Sequence, residues 1–549
     1  MTTEHTQATA QDSPIFHAPA NPYASPYPEP PIPDQSLFDF LFGELTDANK
    51  IAIADAGSQV TYQQLRDMIE AFAGALADRG IGKGDVVALH CPNSTTFAVA
   101  FHGILRANAT VTTVATLATT EDIEKQLKIA GAKAILTTSS VGWAGHNAGE
   151  NVGLAPEHII GLTGINGMGA MLAEQHQPPA QSVDPRNDVA VIPFSSGTTG
   201  VPKGVMLSHR NLIANVVQIE QIAAHLINRD TVAITPLPFF HIYGMNVSLN
   251  WLLKVRSTQY TMPQFDLVAF MELIQDQKAD FAFIAPPIGV ALAKHPLVDN
   301  FDLSSLRTIL SGAASMQDSV VHQLEKRLGC NVTQGYGMTE MSPVSHLRVD
   351  TDAPSATIGY AIPHTEFALI DPQTGDEIPV PASADTDSND EHASNRSASG
   401  ELWVRGPQVM LGYLNNKEAT DEVFVDDWMR TGDIAEFDTE GYVYIVDRLK
   451  ELIKYKGYQV APAELEALLL SHPGIADVAC VSGWTDAGEE VPKAFVVRAE
   501  SHPELAADDV MAYAADRVAP YKKIRMVEFI DAIPKSATGK ILRKNLIKK

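Results

Sequence analysis

Short runs of apolar residues alternate with longer stretches of helical periodicity along the first 200 residues of this 549-residue chain. VVALHCP (86–92), AKAILTT (132–138) and DVAVIPFS (188–195) have the length and composition of buried strands. A stretch such as TYQQLRDMIEAFAGALADRG (61–80) places its apolar residues at helical spacing instead. Strands that alternate with helices indicate βαβ units, so we predict an α/β fold around a largely parallel sheet.

The composition excludes several classes of protein. With 40 basic and 66 acidic side chains the net charge is −26, which argues against general nucleic-acid binding because that requires basic patches. Three widely separated cysteines cannot form a disulfide framework or a cysteine-rich zinc site, so we expect a reducing compartment. The chain has no apolar run of membrane-spanning length, no secretory signal and no Ser-Lys-Leu end. We therefore expect a cytoplasmic protein without a transmembrane segment.

Changes in composition predict where the domains begin and end. Residues 1–34 contain eight prolines and should be extended or disordered. Residues 35–449 form the predicted large N-terminal domain, within which the polar segment 381–399 should be a flexible surface insertion. Residues 450–549 combine short strands and helices, and we predict a small α+β domain there.

The segment SSGTTGVPKGVMLSH (195–209) has the residue types of a phosphate-binding loop. It follows a predicted strand and precedes a helix that should open near Ser208. Small residues let backbone N–H groups approach a polyphosphate, while hydroxyls and Lys203 add donors and charge. Gly204 follows Lys203, so the loop is not a Walker A motif, and a simple Gly/Ser/Thr turn is the alternative. The predicted phosphate-binding residues are Ser195, Ser196, Gly197, Thr198, Thr199, Gly200 and Lys203.

Five motifs in order give the chain a family resemblance. They are SSGTTGVPKGV (195–205), PLPFFHIYGMN (236–246), QGYGMTEMSP (334–343), the region from TGD to DRLKELIKYKGYQVAPAE (431–464), and PKSATGK (534–540). With them the chain, from about Ser36 onward, resembles the adenylate-forming superfamily of acyl-CoA synthetases, adenylation domains and beetle luciferases. The likeness is closest to the 4-coumarate–CoA ligases.

The resemblance implies both a fold and a reaction. The fold is a large domain of distorted doubly wound βαβ sheets with a small β-barrel subdomain, followed by a small mobile α+β C-terminal domain. The reaction is a two-step ligation in which a carboxylic acid and ATP give an acyl adenylate, and the thiol of coenzyme A then displaces AMP. Two anions must meet in the first step, so catalysis should rest on positioning and electrostatics.

The resemblance also assigns residues to the nucleotide. Thr339 would contact the α-phosphate and Glu340 would hold Mg²⁺, a cation suited to one carboxylate plus phosphate oxygens. Elsewhere such a Thr-Glu pair is commonly just a helix start. Tyr336 would stack on adenine, and Asp433 would bind the ribose hydroxyls with help from Arg448. The other residues implied to contact ATP or AMP are Gly312, Ala313, Ala314, Gly335, Gly337 and Ile445.

Two sets of residues are implied to act in turn. Lys540 would neutralise charge at the α-phosphate during adenylation, whereas the other lysines near this end are expected to be solvated. Lys450 would be the hinge about which the C-terminal domain rotates between the steps. The residues implied to serve thioester formation are Lys454, Tyr455, Lys456, Gly457 and Gln459.

The acid pocket decides the substrate, and several alternatives remain open. Its implied residues are His241, which also gates the ATP and acid pockets, Tyr243, Ser248, Ser311, Met341, Pro343 and Val344. Ser315 and Met316 depart from the usual Gly-Ala-Ala-Pro-Leu pattern. An aryl or phenylpropenoid acid is the first prediction, with a medium- or long-chain fatty acid as the alternative. Loading of a carrier protein, a luciferase-like oxygenase and an inactive nucleotide-binding scaffold are the rival functions.

Overall fold

A computed structural model of the chain describes most of the sequence. The described residues are 16–195, 202–314, 316, 318–350, 352–379, 395–456, 458–485, 489–536 and 539–547. Within these ranges the strands form five sheets, and no helix is long and apolar enough to cross a membrane.

The strands are short and are numbered here in chain order. They are β1 (Tyr23–Ala24), β2 (Ile51–Asp55), β3 (Ser58–Thr61), β4 (Val86–His90), β5 (Thr110–Thr113), β6 (Ala134–Thr137), β7 (Ile159–Gly161), β8 (Val189–Val191), β9 (Phe194–Ser195), β10 (Lys203–Ser208), β11 (Val232–Thr235), β12 (Thr258–Thr261), β13 (Phe281–Ile284), β14 (Thr308–Ser311), β15 (Asn331–Gly337), β16 (Val344–Leu347), β17 (Tyr360–Ala361), β18 (Glu366–Ile370), β19 (Gly400–Arg405), β20 (Gly412–Tyr413), β21 (Phe424–Val425), β22 (Trp428–Phe437), β23 (Val443–Arg448), β24 (Ile453–Tyr455), β25 (Tyr458–Val460), β26 (Ile475–Trp484), β27 (Glu490–Arg498) and β28 (Met526–Phe529).

The α-helices lie between these strands. They are α1 (Leu37–Phe42), α2 (Tyr62–Asp78), α3 (Thr95–Arg106), α4 (Thr120–Ala130), α5 (Ala144–Asn151), α6 (Met168–Ala173), α7 (His209–Ala223), α8 (Trp251–Lys254), α9 (Leu267–Gln277), α10 (Pro286–Lys294), α11 (Asp318–Leu328), α12 (Lys417–Val423), α13 (Pro462–Leu470), α14 (Ala507–Ala515) and α15 (Arg543–Ile547). The shorter 3₁₀ turns are Ser139–Val141, Pro156–His158, Pro296–Asn300, Thr339–Met341 and Pro520–Lys522, and a π-helix spans Tyr243–Asn250.

Two large sheets confirm the α/β prediction. One has the order β20-β10-β8-β5-β4-β6-β7, with β9 added to β10, and its neighbours from β8 to β7 are parallel. The other has the order β17-β16-β15-β14-β13-β11-β12-β2-β3 and is parallel from β15 to β2. Because parallel strands end at one edge of a sheet, the segments that follow β14 and β15 begin side by side.

Local sequence explains how the chain turns from β10 into α7. The Ser208 hydroxyl accepts a hydrogen bond from the Asn211 backbone N–H, and the Asn211 side chain accepts one from the Ser208 N–H in return. Such reciprocal capping satisfies N–H groups that the first helical turn leaves without partners. The prediction of a helix opening near Ser208 is confirmed.

A smaller antiparallel sheet lies where the resemblance implied a barrel subdomain. Its order is β1-β18-β19-β22-β21, and β23 pairs with β22. The proline-rich segment supplies β1, and the Tyr23 ring packs against Phe367 and Phe437 with centroid distances of 5.4 and 5.0 Å. The described part of the segment, from residue 16, is therefore extended along this sheet, while residues 1–15 lie outside the described residues.

The C-terminal residues build a hydrophobic core of their own. Strands β26, β27 and β28 form a sheet, β24 and β25 form a hairpin, and α13 and α14 pack with them around buried residues such as Leu465, Val478 and Val496. This separate core matches the expectation of a small C-terminal α+β domain. The domain boundaries themselves stay predictions, and residues 381–394 of the predicted insertion lie outside the described residues.

All three cysteines are buried and unpaired. Burial raises the pKa of the Cys91 and Cys330 thiols to about 12, and it also raises the pKa of Cys480. Thiols of raised pKa carry little of the reactive thiolate near neutral pH. The absence of a disulfide agrees with the expectation from the sequence.

Candidate active site

Asp433 and Arg448 face each other on neighbouring strands. They are directly opposed residues of β22 and β23, and the Arg448 Nε lies 3.3 Å from the Asp433 Oδ1. The Tyr336 hydroxyl donates a 2.6 Å hydrogen bond to the other carboxylate oxygen, Oδ2. The positive φ of Gly432 (71°) forms the turn of the TGD motif before Asp433. Tyr336 and Asp433 lie 97 positions apart in the chain. The fold thus brings three predicted nucleotide-binding residues together through one hydrogen bond and one ion pair.

Burial governs the chemistry of this group. Asp433 is buried. The burial of Tyr336 and the nearby Asp433 carboxylate raise the pKa of the Tyr336 hydroxyl well above the usual value of a phenol. Tyr336 is therefore a neutral donor at neutral pH. Its neighbour Gly337 lies so close to the Pro343 carbonyl oxygen that an added Cβ would be 2.0 Å away, so glycine is required here.

Glu340 and Lys203 contact the same tyrosine, one at its hydroxyl and the other at its ring. The Glu340 carboxylate, on the short 3₁₀ turn after β15, is buried, and its Oε1 accepts a 2.9 Å hydrogen bond from the Tyr413 hydroxyl. The Lys203 Nζ lies 4.8 Å from the centroid of the same ring, which is within cation–π distance. The structure thus brings together the predicted metal ligand and the predicted phosphate-binding lysine.

The predicted phosphate-binding loop is bounded by a strand pair. Ser195 ends β9 and Lys203 begins β10, and the two residues are directly opposed in the antiparallel pairing. Residues 196–201, which include the predicted Ser196, Gly197, Thr198, Thr199 and Gly200, lie outside the described residues. The Ser195 hydroxyl is buried and has no hydrogen-bond partner among the described residues.

Lys540 lies at the end of a tight C-terminal turn. The Ser536 N–H donates to the Lys540 carbonyl oxygen at 2.8 Å, and the Lys540 N–H donates to the Ser536 hydroxyl at 3.1 Å. The preceding Gly539 has φ of 81°, and an added Cβ would lie 2.5 Å from the Pro287 ring at the start of α10. The PKSATGK turn is therefore seated against the large domain, with residues 537 and 538 outside the described part.

Lys540 and the charged groups around it shift one another's pKa values. Burial, reinforced by the Arg448 and Arg543 guanidinium groups, lowers the pKa of Lys540 to about 8, although Glu451 and Asp433 act in the opposite direction. Burial and, to a smaller extent, the positive charge of Lys540 together lower the pKa of His241 to about 4. Lys540 and His241 are 299 positions apart in the chain (540 − 241), so the fold brings them together.

Among the predicted acid-pocket residues, Tyr243 is held by a hydrogen bond and by close packing. Tyr243 begins the π-helix, and its hydroxyl donates to the Leu310 carbonyl oxygen at 2.9 Å. Its ring leaves no room at Gly312, where an added Cβ would lie 2.8 Å from Cε1. Ala313 follows with φ of 71°, an uncommon conformation for a residue with a side chain.

Other members of that set are held by their own surroundings. Ser248 donates to the Gly244 carbonyl oxygen within the π-helix, and Met341 packs in the core of the six-stranded sheet. Val344 is buried in the main core, whereas the buried Ser311 hydroxyl has no hydrogen-bond partner among the described residues. The structure thus leaves Ser311 as a side chain able to meet a polar group of a ligand.

The predicted thioester-forming residues lie on the C-terminal hairpin. Lys454 and Lys456 are exposed on or beside β24, and Lys456 has φ of 49° at the hairpin turn. The side chain of Gln459 on β25 and the whole of Gly457 lie outside what the structure describes. The predicted hinge, Lys450, follows the end of β23 and precedes β24.

Two residues of the site escaped the sequence interpretation. Tyr413 contacts both Lys203 and Glu340, and Asp447 accepts a 2.8 Å hydrogen bond from the Ala463 N–H at the start of α13, across the predicted hinge. No local pattern marks Tyr413, because its partners lie 210 and 73 positions away (413 − 203 and 413 − 340). Asp447 lies in the DRLK motif and could have been noticed there.

Family comparison agrees with this geometry. The family model described as AMP-binding enzyme matches residues 45–414, and the model of the AMP-binding enzyme C-terminal domain matches residues 464–540. Among curated proteins, 4-coumarate–CoA ligase 2 of Nicotiana tabacum is 38% identical, and 4-coumarate–CoA ligase 5 of Oryza sativa is 36% identical. Each alignment covers 95% of this chain and 96% of the relative.

Solved structures share the overall arrangement. ATP-bound MatB from Rhodopseudomonas palustris is 26% identical with a TM-score of 0.84, over 94% of this chain and 99% of that chain. The apo form of the same protein, with the same coverage, gives a TM-score of 0.73. An anthranilate CoA ligase, AuaEII, shows the same fold at 23% identity and a TM-score of 0.83, over 94% of this chain and 97% of its own.

The chain belongs to the AMP-binding enzyme family. Within that family it is an ATP-dependent, AMP-forming acid–CoA ligase that works through an acyl adenylate, and it is similar to 4-coumarate–CoA ligases. The resemblance stated from the sequence is confirmed, and so are the α/β fold and the enzyme class.

Proposed function

We propose that this enzyme joins an aryl or phenylpropenoid carboxylic acid to coenzyme A, with ATP and Mg²⁺ in the first step. One feature carries the assignment of residues: the turn that ends at Lys540 packs against Pro287 of α10, which places the lysine close enough to Asp433, Arg448 and His241 for their charges to affect one another. A scaffold without catalysis needs no lysine at that place. The aryl preference is supported by the relatives named above, which are called 4-coumarate–CoA ligases.

In the first step the acid carboxylate attacks the α-phosphorus of ATP, an oxygen–phosphorus bond forms, and the bond to pyrophosphate breaks. Negative charge accumulates around that phosphorus, and the Lys540 ammonium would offset it. Asp433 would hold the ribose hydroxyls as acceptor, with Arg448 fixing the carboxylate. The Thr339 hydroxyl would donate a hydrogen bond to the α-phosphate.

Glu340 is the residue we assign to Mg²⁺. No cluster of three or more His, Cys, Asp or Glu side chains suited to a metal occurs in the described parts of the chain. A cation held by one carboxylate plus substrate phosphate oxygens fits this arrangement, and magnesium is commonly bound in that way. Glu340 fits because one oxygen, Oε1, is fixed by Tyr413 while Oε2 has no hydrogen bond to a described residue. When bound, Mg²⁺ would neutralise phosphate charge during attack.

In the second step the thiol sulfur of coenzyme A attacks the acyl carbon, and AMP leaves with the electron pair of the broken carbon–oxygen bond. We assign Lys454, Lys456, Gly457 and Gln459 to this step, after rotation of the C-terminal domain about Lys450. The greater likeness to ATP-bound than to apo MatB supports the view that the structure corresponds to the first step.

A two-stage assay tests the proposal. Pyrophosphate release is measured with ATP, Mg²⁺ and a panel of cinnamic, benzoic and fatty acids, and thioester formation is then measured with coenzyme A. We expect hydroxylated cinnamic acids to give the highest kcat/KM in both stages. A fatty acid preference would contradict the aryl assignment, and adenylation without thioester formation would favour a carrier-protein acceptor.

Lys540→Ala tests the division between the two steps. We expect loss of pyrophosphate release, with thioester formation from a supplied acyl adenylate retained. Lys544→Ala, which removes an exposed lysine in the same C-terminal segment, is the matched control and should retain both activities. Equal loss of both half-reactions in Lys540→Ala would refute the role assigned to this lysine.

A further inference from the structure

Tyr413 occupies the space between two groups that must act on the same triphosphate. Its hydroxyl donates to the Glu340 Oε1 at 2.9 Å, and the Lys203 Nζ lies 4.8 Å from the ring centroid. The tyrosine is itself buried. In this hydrogen bond its hydroxyl is the donor and the carboxylate oxygen is the acceptor.

The backbone around Tyr413 is held on both sides. The Leu411 N–H donates to the Met206 carbonyl oxygen at 2.9 Å, and the Leu414 N–H donates to the Gly204 carbonyl oxygen at 2.8 Å. On the other side the Met410 N–H donates to the Glu340 carbonyl oxygen at 2.8 Å. One short segment is thus hydrogen-bonded both to the strand that carries Lys203 and to the turn that carries Glu340.

A further contact, with helix α12, holds strand β20 in place. The Tyr413 N–H donates to the Thr420 hydroxyl oxygen of α12 at 2.9 Å. The preceding Gly412 has φ of 139°, and an added Cβ would lie 3.0 Å from the Thr420 Cγ2. Little freedom remains for the ring, so the positions of its hydroxyl and of its face are set by the fold.

We propose that Tyr413 is a positioning residue that holds Glu340 and Lys203 at a fixed separation, so that the metal ligand and the phosphate-binding cation meet one Mg²⁺–ATP unit together. The inference rests on the proposed function of Glu340 and Lys203. The hydroxyl restrains one carboxylate oxygen and leaves the other available, while the ring face restrains the ammonium. Residues that orient a metal ligand in this way typically change metal affinity by about 10–100-fold when removed.

Two substitutions separate the two contacts. Tyr413→Phe removes the hydroxyl but keeps the ring beneath Lys203, whereas Tyr413→Leu removes both. ATP binding without acid is measured by calorimetry at a series of Mg²⁺ concentrations and in EDTA, which requires no turnover. Mg²⁺ should strengthen ATP binding, and the Mg²⁺ concentration that gives half of this effect is the quantity compared. For Tyr413→Phe we expect this concentration to rise about tenfold, while ATP binding in EDTA stays unchanged. Tyr413→Leu should also weaken binding in EDTA.

The chain offers a matched control for these variants. Tyr444 is also buried, its hydroxyl donates to Asp438 at 2.8 Å, and the Arg396 guanidinium lies 3.6 Å from its ring centroid. Tyr444→Phe therefore removes the same kind of hydrogen bond outside the site. It should lower thermal stability as much as Tyr413→Phe does, while leaving the Mg²⁺ dependence of ATP binding as in the unsubstituted enzyme.

A double-mutant cycle with Glu340→Gln completes the test. If the phenol acts through the carboxylate, Tyr413→Phe should cause no further change in Mg²⁺ dependence once Glu340 is an amide. An unchanged Mg²⁺ dependence in the Tyr413→Phe single variant, or an equal effect in Tyr444→Phe, would overturn the positioning role. Failure of the unsubstituted enzyme to bind ATP at all would instead count against the proposed function.

Discussion

Lys540 is an ammonium group placed where two opposite requirements meet. The role proposed for it, to offset negative charge at the α-phosphate, requires the charged form, but burial and the nearby guanidinium groups of Arg448 and Arg543 lower its pKa to about 8. Glu451 and Asp433 partly compensate this shift. The lysine therefore lies near the edge of its charged range, which makes the first half-reaction sensitive to alkaline pH.

We expect kcat/KM for pyrophosphate release to fall as the pH rises through about 8, since deprotonation of Lys540 removes the charge. The profile of kcat/KM reports the free enzyme, and bound phosphates should move the fall in kcat to higher pH. His241, with a pKa of about 4, stays neutral from pH 6 to 10 and contributes no change there. The measurement is a pH profile of each constant.

Lys540→Arg is the control for that profile, because a guanidinium keeps its charge over the whole range. Its activity should be lower but independent of pH between 7 and 9.5. If the arginine variant shows the same alkaline fall, another group is responsible.

At the scale of elements, the connector between β23 and α13 joins the two parts of the site. Asp447 lies before the predicted hinge and Ala463 after it, and the hydrogen bond between them caps the first turn of α13. The same carboxylate accepts a 2.7 Å hydrogen bond from the Arg448 N–H, so its orientation is fixed by the large domain. A rotation about Lys450 would break the contact with α13.

Asp447→Ala should therefore shift the balance of conformations away from the one that adenylates. Loss of such a cap costs about 1 kcal/mol, which corresponds to about a fivefold fall in the ratio of the adenylating conformation to the alternative one. The adenylation rate should fall by at most this factor. Thioester formation from a supplied acyl adenylate should not fall. The rates of the two half-reactions are measured separately.

Asp447→Asn keeps an oxygen acceptor at the same position and should lie close to the unsubstituted enzyme. A parallel decrease of both half-reactions in Asp447→Ala would mean that the residue supports general stability rather than this conformation.

At the scale of the whole molecule, a strand near the beginning of the chain pairs with a strand more than 340 residues later in the sequence. Tyr23 is opposed to Phe367 in the pairing of β1 with β18 (367 − 23 = 344). The N–H groups of Ala20 and Asn21 donate to the Glu377 carboxylate at 3.0 and 3.2 Å. These contacts protect the edge of the small antiparallel sheet, whose β22 also carries Asp433.

Tyr23→Ala should lower the free energy of unfolding by about 1–3 kcal/mol, because the half-buried ring loses its packing against Phe367 and Phe437. Below the melting range the catalytic constants should be unchanged. Tyr23→Phe keeps the ring and serves as the control in thermal denaturation. A melting temperature that is the same in both variants would show that the ring packing contributes nothing to stability.

The sequence was most informative where the signal is local. Strands β4, β6 and β8 are predicted from apolar runs, and the start of a helix near Ser208 is predicted from the stretch that follows the loop. The joint role of Asp433 and Arg448 comes instead from the family resemblance, and the structure places the two side chains together. Contacts that depend on tertiary pairing could not be read in the same way. Tyr413 gains its position from pairing with β10, and the π-helix at Tyr243–Asn250 lies in an apolar run that gives no period to distinguish it.

The inaccessibility of the three native thiols opens a practical route to watching the enzyme work. A maleimide dye needs a reactive, exposed cysteine, and the buried residues with raised pKa values should give almost no background. Ile165, 96% exposed in the large domain, and Trp484, 58% exposed on β26, are natural positions for two engineered cysteines. With a donor and an acceptor fluorophore there, the proposed rotation of the C-terminal domain would be seen as a change in energy transfer.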